Sequence, residues 1–167
     1  MAGGILGLDL SGRTGWSYGE RGLRPIWGVW HLPTFGGEGG RFAAFENELA
    51  AAIEEHQPRT LVVEAPLSLH ALTRADVVNQ QRGLRAFVYS EGYRSEVQVV
   101  ELDAAIIREE LLGYRRAPKG QDIKQLVLRH FHDWGWPVVD DNAADAVMLV
   151  EFYASALGWR LATGPKV

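Results

Sequence analysis

The chain contains no cysteine among its 167 residues, so neither a disulfide framework nor a thiolate metal site is open to it. No apolar run approaches the roughly 20 residues needed to span a bilayer, and the first residues lack the basic and apolar regions of a secretion signal. No Gly-x-x-x-x-Gly-Lys-Ser/Thr segment is present, which argues against a P-loop nucleotidase. Basic charge is not in excess either: the formal net charge is -4, whereas a nucleic-acid footprint is usually basic. There is no internal repeat and no linker. These absences leave one domain, 1–167, expected to be soluble and cytoplasmic with no membrane partner. Its 47% apolar content is that of a chain with a real core.

Among what is present, Ile5-Leu6-Gly7-Leu8-Asp9-Leu10-Ser11-Gly12 stands out. An aliphatic run delivers one acid to its end, and a glycine turn follows. A carboxylate in such a strand is costly unless something pairs with it, and a metal ion is a good candidate. Leu61-Val62-Val63-Glu64-Ala65-Pro66 repeats the theme, and Asp140-Asp141-Asn142-Ala143-Ala144-Asp145-Ala146 opens a helix with clustered acids. Asp141 and Asp145 are four apart and Asn142 and Asp145 three apart, so either pair shares a helical face. Asp145 lies between alanines that leave room for close approach. Each acid also has a purely structural use. Asp9 suits a turn, Glu64 an edge strand, and Asp140, Asp141 and Asn142 are all good helix caps, so at least one of them should cap.

The order of elements follows from hydrophobic period and breakers. Residues 3–10 and 14–20 read as strands joined by the Ser11-Gly12-Arg13 turn, and 24–32 as a third, all antiparallel. Residues 33–40 read as a glycine-rich loop. A helix is predicted over 41–56, with Phe42, Phe45, Leu49, Ala52 and Ile53 on one side. A strand at 60–65 comes next, then a helix over 73–92 with Val77, Gln81, Leu84 and Val88 together, and a strand at 97–102. Asp103 should cap a short helix ending at Gly113. Helices over 121–134 and 142–159 complete a mixed α/β sheet with helical cover. Trp27, Trp30, Trp134, Trp136 and Trp159 read as core and helix-packing residues.

Gly7-Leu8-Asp9-Leu10-Ser11 followed by Thr14-Gly15-Trp16, the Val63-Glu64 strand end, and Asn142-Ala143-Ala144-Asp145-Ala146 together resemble the RuvC-type Holliday-junction resolvases. Gln80-Gln81-Arg82-Gly83 and Lys119-Gly120-Gln121 add to that resemblance, which covers nearly the whole chain. It implies a ribonuclease H-like five-stranded mixed sheet flanked by helices. It also implies a homodimer, paired nicks across a four-way DNA junction, and Mg²⁺ or Mn²⁺, two ions per active site, held by Asp9, Glu64 and Asp145. Water between the ions would attack the phosphodiester in line. The family's fourth ligand falls here on Asn142, a neutral residue; Asp141, one position earlier, is the preferred substitute.

Lys119 resembles a family lysine near the scissile phosphate. Where the family has an aromatic wedge, three residues after the second acid, this chain has Leu67. Leu67, Leu69 or His70 could wedge between bases instead. Arg82, Arg115 and Arg116 join Lys119 as candidate DNA contacts, and 73–92 is the expected dimer interface. Three alternatives compete: a nuclease of the same fold acting on flaps, forks or RNA–DNA hybrids, a non-catalytic DNA-binding subunit, and a small actin-like phosphotransfer fragment suggested by Asp9-Leu10-Ser11-Gly12.

Overall fold

The structure is a computed structural model that describes residues 3–66 and 75–164. Ten elements follow one another: β1 Ile5–Asp9, β2 Arg13–Gly19, β3 Ile26–His31, α1 Gly37–His56, β4 Thr60–Glu64, α2 Ala75–Arg94, β5 Gln98–Leu102, α3 Ala104–Leu112, α4 Ile123–Asp133 and α5 Asp141–Ala156. The sheet order is β3-β2-β1-β4-β5. β1, β2 and β3 pair antiparallel, as short connections require, whereas β4 and β5 run parallel to β1 after helical crossovers. This is the five-stranded mixed sheet expected from the sequence.

Period-two alternation along the strands sorts the aliphatic residues into two layers. Leu6, Leu8, Leu61 and Val63 face α1 and α2, where Phe45, Leu49, Leu84 and Val88 complete one cluster. Ile5 and Val62 face the other way, against Val147 and Val150 of α5, with Ile107 of α3 and Phe131 of α4 beside them. Trp136 and Trp30 are buried, and Trp27, Trp134 and Trp159 pack against the α5 layer. Among the described residues no helix is long and apolar enough to cross a membrane.

Two expectations change. Helix α1 begins at Gly37, inside the segment read as a loop, because the backbone alone starts it. Gly36 sits at φ 79 in the left-handed region, with no side-chain cap, and Gly40 N donates to Gly36 O at 3.1 Å. Such a start leaves no polar signature in a glycine-rich run. In α2, Leu84 and Val88 are buried as expected, but Val77 is exposed near the helix start. Other signals hold: the Asp103 carboxylate accepts from Ala105 N at 2.7 Å, and Gly113 ends α3 at φ 84.

Candidate active site

Asp9 is the last residue of β1, and alternation with Ile5 and Gly7 turns it to the α5 face of the sheet. On one side its register partner is Gly15 of β2. On the other, Leu8 pairs with Val63, so Glu64 ends the parallel strand β4 at the level of Asp9 and, two residues after Val62, points to the same face. Two carboxylates therefore leave adjacent strand ends side by side.

Helix α5 brings the third. Asp140 caps it, its Oδ1 accepting from Asn142 N at 2.9 Å and Ala143 N at 3.3 Å, and its Oδ2 taking the Arg13 guanidinium at 2.7 Å. Of the three possible caps, then, it is Asp140 that fills the role, and Arg13 ties the helix start to the start of β2. The helix can lie this close only because position 15 has no side chain: a Cβ on Gly15 would stand 1.9 Å from Asn142 O, and one on Gly7 would stand 2.7 Å from Ala146 O. A glycine inside a strand often marks such an approach. Asp145, one turn into α5, is thereby set against the strand-end acids.

The electrostatics register this convergence. Burial pushes the Asp9 carboxyl up to about 8, and the negative charges of Asp145, Glu64 and Asp141 add to the effect, with Lys124 opposing it. Asp145 is pushed up to about 6, by burial first and Glu64 next, while Arg108 and Lys124 hold it down. Glu64 is raised by burial, against the pull of Arg108 and Arg85. Asp141 behaves differently. It is hydrogen-bonded by the Lys124 ammonium from α4, which lowers its carboxyl. Asp122 caps α4 by accepting from Lys124 N at 3.0 Å, fixing where that lysine starts.

A cavity of about 50 Å³ opens between Asp9, Glu64, Gln81 and Arg85. Arg85 shapes its wall, donating through Nη2 to the Glu64 carbonyl at 2.7 Å and pairing with Glu101 at 3.0 Å. A water occupies about 30 Å³ of liquid, so the space suits a small ion with its water rather than an organic molecule. Among the described residues no three Asp, Glu or His side chains are already drawn together as a metal cage; Asp141 is engaged by Lys124 instead. The donor set is nonetheless all hard oxygen, the kind Mg²⁺ and Mn²⁺ take, and Asp9, raised by burial and by the charges of Asp145 and Glu64, is an acid short of a countercharge.

Of the residues singled out from sequence, Asp9, Glu64, Asp141 and Asp145 act on one another here. Asn142 presents its backbone to Gly15. Lys119 is an exposed turn residue, Arg82 and Arg116 are exposed, and exposed Arg115 pairs with Glu109. Leu67, Leu69 and His70 lie outside the described residues. Sequence reasoning overlooked Lys124 and Arg108, the cations whose charge reaches the acids. Their convergence depends on how α3 and α4 pack beside α5.

No protein-family model matches the chain. The crossover junction endodeoxyribonuclease RuvC of Thermomicrobium roseum is 32% identical over 117 residues, 68% of this chain and 66% of that protein, so the match spans just under two thirds of the relative's length. The RuvC structure from Thermus thermophilus superposes with a TM-score of 0.73 at 13% identity, covering 93% of this chain and 97% of that one. T. thermophilus RuvC in complex with a Holliday junction substrate gives 0.70 at 14% identity over 94% and 98%. The yeast mitochondrial Holliday junction resolvase Ydc2 gives 0.59 at 14% identity over 87% and 75%. At these identities the structural likeness speaks for the fold, the ribonuclease H-like sheet expected from the sequence.

Proposed function

We propose that the chain is a member of the RuvC family of junction resolvases and a metal-dependent endonuclease that nicks four-way DNA junctions. The observation that carries the reading is the placement of Asp9, Glu64 and Asp145 at the ends of β1 and β4 and the start of α5, where Glu64 and Asp145 raise the Asp9 carboxyl and Glu64 raises that of Asp145. Asp9, Glu64 and Asp145 would hold Mg²⁺ or Mn²⁺, two ions in all, with Asp141 or Asn142 as the fourth ligand. Bound divalent ions supply Lewis-acid stabilisation of the attacking and leaving oxygens of a phosphodiester.

The chain's own residues do the rest. Asp9, at a strand end and half-buried, is fixed by its pairing with Gly15 of β2 and orients what it binds. Lys124 and Arg108 partly neutralise the acids before any ion arrives, and Lys124 holds Asp141 in place. The basic residues Arg82, Arg115, Arg116 and Lys119 take DNA phosphates, which positions the backbone without reading sequence. Leu67 and His70 are the proposed wedge between bases.

Two such sites are needed for paired nicks, and a homodimer provides them. Helix α2 offers the surface: Tyr89 and Tyr93 are exposed four residues apart, and Tyr93 is 88% exposed. Sedimentation as a dimer, reduced to a monomer by Tyr93→Glu with Tyr89→Glu, is the expected result; a wild-type monomer would remove the dimer.

The functional test is a labelled immobile four-way junction beside linear duplex, flap and RNA–DNA hybrid controls, in Mg²⁺ or Mn²⁺. Symmetric nicks confined to the junction are expected. Cleavage of flaps or hybrids alone would keep the metal chemistry and replace the substrate, and tight binding without cleavage in either metal would make the chain a DNA-binding subunit.

A further inference from the structure

Helix α5 carries one acid that the nuclease reading leaves unused. Glu151 stands six residues beyond Asp145, about 9 Å along the helix axis, and is 7% exposed. Its Oε2 is buried, and no donor reaches it among the described residues. Burial pushes this carboxyl up to about 7, and among the described residues no cation counters it. A lone buried carboxylate is among the more costly groups a fold can keep, unless it neutralises or finds a partner.

The surroundings of Glu151 are those of a receptor. It lines a cavity of about 270 Å³ with Trp134, Ser155, Trp159, Arg160 and Thr163. Arg160 is exposed and forms no ion pair with Glu151 among the described residues, so the cavity keeps an acidic floor between indole walls. Trp159 already takes one cation, the Arg59 guanidinium 6.0 Å from its ring centroid, and indole is the best aromatic partner for a positive charge. An ammonium group has three donors and no acceptor. The side-chain acceptors among the residues lining this cavity are one carboxylate and two hydroxyls, and its tryptophans suit a short methylene chain.

We propose that this cavity is a binding site for a primary alkylammonium group, with Glu151 as its anionic partner and Trp134 and Trp159 as its walls. The group would come from a lysine side chain of a partner protein or from a free polyamine. The site is separate from the strand-end acids and does not depend on the nuclease reading.

The test uses the full chain, with the indole N–H signals of Trp134 and Trp159 followed by nitrogen-15 NMR during titration with n-butylammonium. Saturable shifts at those two residues are expected, with a dissociation constant of about 1 mM for so small a ligand. Neutral n-butanol should bind at least about tenfold more weakly, as should n-butylammonium to Glu151→Gln, the expected cost of losing one charged partner. The Glu151→Gln side chain is isosteric and removes a buried charge, so the variant should fold, and the n-butanol comparison needs no variant. Equal binding of n-butanol, undiminished binding to Glu151→Gln, or no saturable shift at either tryptophan would each overturn the proposal. Titrations with Nα-acetyl-lysine amide and with putrescine then separate the two sources, the tighter binder naming the one in use.

Discussion

Replacing Asp9 by Asn removes a charge that the fold carries at a cost when no cation is bound. The sign follows from the carboxyl's position at about 8 in the fold against an ordinary value of 3.8. Below pH 4 the group is protonated whether the chain is folded or not, and costs nothing. As pH rises from about 4 to about 8 the unfolded chain releases this proton and the folded chain resists, so stability falls throughout that window. At 1.36 kcal/mol for each pH unit, the loss from this group reaches on the order of 4 kcal/mol at pH 7. An Asn side chain must still be buried without full hydrogen bonding, so Asp9→Asn should recover about half of it, about 2 kcal/mol.

Urea unfolding in the presence of EDTA at pH 5 and pH 8 measures the effect. The wild type should lose midpoint between the two pH values, and Asp9→Asn should lose much less and be the more stable protein at pH 8. Mg²⁺ should then reverse the order, stabilising the wild type by about 2.7 kcal/mol at a hundredfold excess over its dissociation constant and the variant hardly at all. An Asp9→Asn protein less stable than wild type at pH 8 in EDTA would refute the reasoning, because Asp9 would then be making a structural bond rather than awaiting a cation.

Other perturbations probe how the site is assembled. Gly15→Ala sets a methyl against Asn142 O and must lift the start of α5; a loss of about 3 kcal/mol in chemical denaturation, with loss of nicking, is expected. Asp140→Ala removes the α5 cap and the partner of Arg13, and should lower stability by about 1 kcal/mol in the same assay. Lys124→Met frees Asp141, and calorimetric titration should show Mn²⁺ binding a few-fold more tightly, the scale of a screened, half-exposed pair; unchanged affinity would mean that Lys124 does not compete with the ion.

The strand-end acids were legible because a carboxylate closing an aliphatic run is costly and therefore conspicuous, and period two then puts Asp9 and Glu64 on one face. Asp145 was legible from its alanine neighbours. What brings it to the strands is not local. Gly15 admits the helix backbone through a contact 127 residues away in sequence, the separation between Gly15 and Asn142, and nothing in the β2 segment announces it. Lys124 and Arg108 reach the acids only through the packing of α3 and α4. Glu151 carries no local sequence signal that sets it apart on a long helix, and only the folded chain places Trp134 and residues of the segment 159–163 around it.

Junction cleavage is proposed to depend on the strand-end acids acting with Asp145 as one metal site. The most direct measurement compares wild type, Asp9→Asn and Asp145→Asn on a labelled four-way junction, reading gel-shift affinity and Mg²⁺-dependent nicking in parallel. Both variants should bind the junction with wild-type affinity and leave it uncut, since phosphate contacts persist while the ion shell fails. Nicking that survives in either variant would contradict the claim.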